Sequence, residues 1–536
     1  MLTKAEPQLI VDDDSGPGVT TNRLRGAIGS FTGRPGVLTR SEVQSHLDTE
    51  PRFDDIMCSL RATSKQPKGM VGEIRKIVAL TRKFNREVAE PHALEIDRRA
   101  QADATYIPRE IMAEANRWGF FSLWIPKLFG GQGYNFPSMS YFAEEAASAC
   151  LGIANLIGVH YLGIAGLMAT GNTRLIKRVC RDVIEGERTG RPCTMALAVT
   201  EPGAGTDVEE MDLIDKANVA CHCRKVPGGY QVNGTKVFIS NGALAQWHII
   251  IAYEDLKRPA ETPVWFLVKT GTEGFTVGRQ EVKMGQKACP ANELIFDNCF
   301  IPDEDVCMDV RQLQALRRNA KDTHMQMLDY VVSATRAAVG AFGTGVARAA
   351  LEETVRFAAA ARVNGGRLID SEWVQCRLAD MVRNVATSRL LYVETNYANG
   401  LDGFYKLLQI KPFYYYNKWM PRMYFSKVLG PLLEKPWFMA FYRKAFFDWQ
   451  SDDDYHRTSG WASIAKFAGT DAGIQNCQMA IEIMGAAGLR HSSKVEKCLR
   501  DAKLLQIYEG TNQLNRLNTF KCLIHRQAPD AMIFDE

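Results

Sequence analysis

The chain has 536 residues, 46% of them hydrophobic and 24% charged, enough to bury several cores and to divide into more than one domain. A formal net charge of +4 over that length excludes a nucleic-acid or membrane field spread over the whole molecule, so any basic partner site is local. Thirteen cysteines lie scattered without a compact framework and no charged, apolar and small-residue leader opens the chain, which points to free thiols in a reducing compartment.

Residues 1–70 carry "DDDSGPG" and "FTGRPG" with no apolar period, and read as an extension that wraps around the rest. Residues 71–193 have helical spacing, as in "VGEIRKIVALTRKFNREVAEPHALEIDRR" and "PREIMAEANRWGFFSLWIP". Within them, Ala146 to Thr173 contains no Lys, Arg, Asp or Glu. That stretch is long enough to span a bilayer, but Asn155, His160, Tyr161 and repeated glycines interrupt it, which predicts a buried helical hairpin. His160 is then a core or pocket histidine rather than a metal ligand.

Over residues 194–310 the period changes to two, in "GGYQVNGTKVFISNG", "WHIIIAYED", "PVWFLVKT" and "NELIFDNCFIP", and Asn233-Gly234 reads as a hairpin turn. Helical spacing returns over 311–526, in "DYVVSATRAAVGAFGTGVARAALEETVRFAAAAR" and "GWASIAKFAGTDAGIQNCQMAIEIMG". The order is helical, β, helical, an α+β multidomain chain without the strand-helix alternation of a doubly wound sheet.

No Walker loop and no Gly-x-Gly-x-x-Gly after a strand is present. Cys221-His222-Cys223 lacks the gap between paired metal ligands, and neighbours on a strand face opposite ways, so no metal site is expected. Two short stretches carry chemistry. "AVTEPGAGTDV" (198–208) turns tightly at Pro202, Gly203 and Gly205 and exposes amides, which suits an anionic or carbonyl-rich ligand as well as a plain helix-to-strand turn. "QIYEGTNQLNR" (506–516) holds one acid, Glu509, between Tyr508 and Gly510, and read alone it is a helix-start carboxylate ahead of Asn512.

Together, "AVTEPGAGTDV", "VNGTKVFISNG", "KMGQKACPANELIFDNCFIP", "TRAAVGAFGTGVARAALEE" and "RDAKLLQIYEGTNQLNR" stand in the order and at about the spacing of the acyl-CoA dehydrogenases. The chain resembles that family from Val71 to Arg516, one insertion excepted. The resemblance implies FAD, an acyl-CoA substrate, an electron-transfer flavoprotein or similar acceptor, and a homodimer or homotetramer. It implies an N-terminal helical domain, a middle β-barrel domain and a C-terminal helical bundle.

By the same resemblance Glu509 is the catalytic base, taking the α-proton while a hydride leaves the β-carbon for flavin N5. Gly510 leaves room for the thioester. The position that carries the base in a minority of the family matches Thr335, beside Arg336, and Thr335 cannot serve. Leu197, Ala198, Val199, Thr200 and Gly205 match the loop along the isoalloxazine, and Thr206 a position near the CoA arm. Phe238, Ile239 and Ser240 match the strand behind the ring, with Phe238 in place of the usual tryptophan. Arg362 matches an arginine that reaches a neighbouring subunit's FAD pyrophosphate, Gly485 to Gly488 a glycine turn at that cofactor, and Thr511 and Gln513 further cofactor positions. The adenosine end departs from the family: Arg362-Val363-Asn364-Gly365-Gly366 replaces Arg-x-x-Phe-Gly, Glu372 replaces a glutamine, and Ala486 and Ala487 interrupt the late glycine turn.

The largest departure is the insertion, about 398–457. Residues 404–450 are about one-third aromatic, with eight basic residues against two acidic. That composition suits a subunit contact, a roof over the acyl pocket, or a peripheral membrane surface. The leading function is acyl-CoA dehydrogenation, in the cytoplasm or a mitochondrial matrix. The alternatives are an acyl-CoA oxidase, which often carries a further C-terminal domain, and a flavin-bearing binding protein of the nucleic-acid-associated kind, which would carry a basic tail. The ending "DAMIFDE" favours the enzyme, and no nucleic-acid partner is expected.

Overall fold

The structure is a computed structural model that describes residues 68–210, 212–401, 410–448, 451–525 and 528–534, with positions 41 and 45; the expected extension over 1–70 lies almost wholly outside them. The first block is helical: α1 (Lys68–Phe84), α2 (Glu90–Ala102), α3 (Arg109–Arg117), α4 (Ser138–Ala169) and α5 (Thr173–Thr189). The sequence of α5 explains its limits. The Asn172 side chain accepts from Leu175 N at 3.2 Å, the helix stops at Gly190 (φ 75°), and Leu175, Ile176, Val179 and Val183 form its buried stripe.

The hairpin expected between Ala146 and Thr173 is instead one long helix, α4, broken but not reversed at Cys150 (φ −157°, ψ 111°). It is apolar all round because protein covers it on nearly every side; 89% of its most apolar window is buried. His160 is a core residue, as expected: Nε2 lies 2.9 Å from Phe121 O, Nδ1 accepts from Met195 N at 3.2 Å, and burial holds its pKa down at about 3.

The middle block is a sheet of β1 (Met195–Ala198), β2 (His222–Val226), β3 (Gly229–Ser240), β4 (Trp247–Tyr253), β5 (Pro263–Lys269), β6 (Phe275–Gln280), β7 (Ala291–Pro302) and β8 (Val306–Met308). Its order is β6-β7-β3-β2-β4-β5-β8, with β1 lying parallel on β4. The expected closed barrel is therefore corrected to an open sheet, because the end strands β6 and β8 do not pair with each other. Asn233-Gly234 is not the hairpin turn either. The β2–β3 connection falls at Pro227-Gly228, and Asn233-Gly234 sits inside β3 at a bulge against β7. There Gly234 (φ 133°) passes so close to Cys221 that a Cβ would lie 2.6 Å from the Cys221 Cα.

The last block holds α6 (Val310–Ala315), α7 (Ala320–Ala360), the short pair β9 (Arg362–Val363) and β10 (Gly366–Arg367), and α8 (Glu372–Leu401). The described part of the insertion follows: α9 (Lys411–Trp419), helical turns over 422–434, and α10 (Pro436–Asp448). The chain then forms α11 (Asp452–Met484), α12 (Lys494–Leu505) and α13 (Asn512–Thr519). α7 and α11 cross backbone to backbone: a Cβ on Gly343 would lie 2.2 Å from Gly469 O, so only glycine permits the approach. A buried charge cluster ties α4 to the bundle, with Glu144 accepting from Arg348 Nη1 (3.2 Å), Arg389 Nε (2.8 Å) and Tyr392 Oη (2.6 Å).

Candidate active site

Where α4, α7, β1 and the end of β3 meet the turn after α12, they enclose a cavity of about 160 Å³. One wall is the end of the sheet, with Leu197, Val199 and Thr200 beside Phe238, Ile239 and Ser240. The opposite wall is apolar, with Phe142 and Leu162 from α4 and Leu328, Val331 and Phe342 from α7. The charge-free stretch of α4 thus has a local reason, since one of its faces borders this space. Tyr508 and Glu509 complete the lining.

Phe238 reaches the cavity through backbone strain. The β3–β7 register slips between Lys236 and Ile239, which leaves Phe238 in the bulge at φ 58° and 62% exposed. Non-glycine residues rarely adopt that conformation, and such strain collects at functional sites. Ala198, by contrast, turns its side chain into the sheet's other core, as strand alternation requires.

Glu509 is the second strained residue of the lining, also at φ 58°, followed by Gly510 at φ 71°. A Cβ on Gly510 would stand 3.0 Å from Leu514 and 3.3 Å from Arg336 Nη2, so the tight turn needs glycine. Buried side chains from two helices hold the turn by its carbonyls. Arg336 Nε on α7 donates to Glu509 O (3.2 Å), and Lys466 Nζ on α11 donates to Gly510 O and Asn512 Oδ1, both at 2.7 Å. Asn515 Nδ2 adds a bond to Gly510 O (2.9 Å), and the Thr511 side chain caps α13 by accepting from Leu514 N. Across the domains, Gln286 Oε1 accepts from Asn155 Nδ2 (3.0 Å) and its Nε2 donates to Asp501 O (2.9 Å), which locks the sheet block against α4 and α12 beside Tyr508.

The carboxyl of Glu509 accepts from Thr335 Oγ1 at 2.9 Å. Burial pushes its pKa up to about 7, and the nearby Glu209 carboxylate pushes in the same direction. Glu209, last residue of the turn Thr206–Glu209, is itself raised by burial; its Oε2 has no hydrogen-bond partner and stands 3.7 Å from Arg336 Nη2. Burial lowers Lys466 to about 7, with Glu209 opposing. Glu209 also borders a small polar cavity of about 20 Å³ shared with Asp329, Arg336, Tyr455 and Asn518.

The structure therefore gathers Glu509, Thr335, Leu197, Val199, Thr200, Phe238, Ile239 and Ser240 around one space. Gly510 and Thr511 belong to the turn that supports it, and Arg336 holds that turn from α7. Gly205 and Thr206 sit at the start of the Glu209 turn, outside the lining. Arg362, Gly485 and Gln513 are exposed away from the cavity, with Gly488 buried beside Gly485. The described residues of the insertion do not line the cavity, so the pocket-roof expectation fails for 410–448. Among the described residues no His, Cys, Asp and Glu group could hold a metal, and His222 is exposed while Cys221 and Cys223 are buried. Glu209 and Lys466 stand outside the residues expected from the sequence. The doubled acid in "TDVEE" is the one local sign of the former, and nothing local marks Lys466.

Comparison with known proteins identifies the family of the three blocks. The chain matches the acyl-CoA dehydrogenase N-terminal domain over residues 72–187, the middle domain over 196–299, and the C-terminal domain over 326–400 and 447–523. It is 27% identical over 441 residues to a probable acyl-CoA dehydrogenase, FadE25, of Mycobacterium tuberculosis, covering 82% of this chain and 92% of that protein. Butyryl-CoA dehydrogenase from Megasphaera elsdenii has a similar fold, with a TM-score of 0.64 at 22% identity over 84% of this chain and 98% of that one. A glutaryl-coenzyme A dehydrogenase in complex with glutaryl-CoA gives 0.62 at 19% identity, over 86% and 96%. With all three of its domains matched in order across most of its length, the chain belongs to the acyl-CoA dehydrogenase family, whose members are FAD-dependent oxidoreductases.

Proposed function

We propose that this chain binds FAD against the end of its sheet and oxidises an acyl-CoA thioester to the α,β-enoyl-CoA, with Glu509 as the base. The observation that carries the reading is the carboxyl of Glu509, raised to about 7 and held on a strained turn facing the same cavity as the Phe238-Ile239-Ser240 edge. The residues fit a flat ring system: an aromatic left 62% exposed by its bulge, a hydroxyl beside it at Ser240, and the lining loop 197–200. When bound, FAD supplies the hydride acceptor for the β-hydrogen.

The chain's own residues do the rest. Glu509 removes the α-proton, and a pKa near working pH favours that exchange, because a base is most effective when it is ionised yet basic enough to hold the proton. Thr335 steadies the ionised form. Arg336 and Lys466 fix the turn from behind through its carbonyls, so Glu509 holds its place while its charge changes. The apolar wall formed by Phe142, Leu162 and Leu328 takes the acyl chain and excludes water.

Arg362, Gly485, Gly488, Thr511 and Gln513 are proposed to meet the adenosine half of the cofactor, Arg362 that of a neighbouring subunit in a homodimer or homotetramer; its exposure on the single chain supports this. Thr206 is assigned to the CoA arm. An electron-transfer flavoprotein or similar acceptor removes the electrons, and free thiols at the described cysteines support a reducing compartment, cytoplasmic or mitochondrial. The test is anaerobic bleaching of the purified protein's flavin by straight, branched, aromatic and cyclic acyl-CoAs. At least one should bleach it in a single turnover; a flavin that none of them reduces, in protein that binds them, overturns the reading.

A further inference from the structure

The insertion is clasped to the protein along one side only. Tyr414 Oη donates to Glu73 (2.8 Å), Lys127 Nζ binds the C-terminal carbonyls of α9 (Lys418 O at 2.6 Å), and Arg443 donates to Thr170 O and Cys307 O at 3.1 and 2.7 Å. Tyr414, Phe425, Leu433 and Phe447 are buried on that side. The outward side is also apolar. On α10, Trp437, Phe441, Lys444 and Ala445 follow helical spacing along an exposed stripe, opposite buried Arg443 and Phe447. Trp437 is 61% exposed, Phe441 65% and, on α9, Trp419 73%. Met423 and Val428 are exposed in the turns between them.

The charges on this face are one-sided. The two acids between residues 410 and 448 are drawn to cations outside that segment: Lys177 Nζ donates to Glu434 (2.6 Å) and Arg318 Nη1 to Asp448 (2.8 Å). Lys411, Lys427, Lys435 and Lys444 are exposed and form no salt bridge among the described residues. Large apolar side chains standing out among exposed lysines have the composition of the lipid headgroup zone, where aromatics insert at the acyl boundary and lysines meet anionic phosphates. A second copy is the poorer occupant. A two-fold contact would bring two copies of this same cationic patch together, and lysine is depleted where proteins meet.

We propose that the outer face of residues 410–448 docks this protein peripherally onto an anionic phospholipid bilayer. The flavin-loaded full chain is sedimented with equimolar phosphatidylcholine–phosphatidylglycerol vesicles and with phosphatidylcholine alone. Binding to the anionic vesicles only, released by added salt, with a blue shift of tryptophan fluorescence, is the expected result. Replacing the four lysines together by glutamate should lower the partition coefficient at least tenfold, and Trp437→Ser with Phe441→Ser should lower it with the flavin retained. Wild-type protein that stays in the supernatant overturns the proposal, whatever the variants do. So does salt-insensitive binding, or an aromatic variant whose only change is a smaller oligomer, which would make the face a contact between copies.

Discussion

The hydroxyl of Thr335 stands 2.9 Å from Oε2 of Glu509 and 2.9 Å from the carbonyl oxygen of Val331, one turn back on α7. It has one proton for two acceptors. With Glu509 ionised, Thr335 donates to the carboxylate; with Glu509 neutral, the acid can donate to Thr335, which then turns its own proton to Val331. The contact survives in both states but favours the charged one, because only that form draws the Thr335 proton.

Thr335→Val should therefore move the acid limb of the kcat/KM profile upward from about 7. A hydrogen bond to a charged group is worth about 1.5–3 kcal/mol, so a displacement of about one pH unit or more is expected. Thr335→Ser should leave the limb in place. A profile indifferent to both substitutions removes Thr335 from the account.

Glu209→Gln should shift the same limb the other way. Its carboxylate raises Glu509 by like-charge repulsion, second only to burial, so neutralising it lets Glu509 ionise at lower pH. The measurement is again kcat/KM against pH, and an upward shift contradicts the geometry.

Stability should show the cost of the raised carboxyl. The folded pKa of Glu509, about 7, lies above its ordinary 4.5, so the fold favours the protonated form. The stability this contributes is complete below 4.5 and is lost as pH rises through about 7. Glu509→Gln carries no such charge, so its Tm should exceed that of the wild type by a margin that widens between about pH 5 and 8. A constant margin across that range counts against a raised pKa.

Phe238→Gly should separate strain from cofactor contact. Glycine accepts the φ of 58° without strain, which offsets part of the lost packing, so the fold should survive while flavin retention falls. Flavin absorbance per protein, with Tm alongside, reads both. Full retention of flavin would mean that the ring does not lie on Phe238.

Much of this was legible in residue patterns, and the failures have physical causes. The change from helical to alternating period marked the three blocks, because each reflects which face of a local element is buried. Asn233-Gly234 misled because a turn preference is local, whereas β3 continues through that point by pairing with β2 and β7, with a bulge where Gly234 passes close to Cys221. Closure of a barrel depends on whether β6 meets β8, a relation between distant strands that no single strand records. The turn at Glu509 was legible because it is one continuous motif, and the structure sets it in the wall of the cavity. Lys466 was not, since its role exists only once α11 crosses α7 at Gly343 and Gly469 and brings its amine to the Gly510 carbonyl.

Glu509 as the proton acceptor is the step on which the proposed reaction turns. It is tested most directly by mixing an acyl-CoA that bleaches the wild-type flavin with Glu509→Gln protein, anaerobically, and following the flavin absorbance in a single turnover. The amide keeps the shape of the turn and its Thr335 contact but cannot accept the proton. The variant should still carry flavin and bind the ligand, while bleaching slows by about 10²- to 10⁴-fold. Bleaching at the wild-type rate in a fully loaded variant would contradict this role and place the base elsewhere in the cavity.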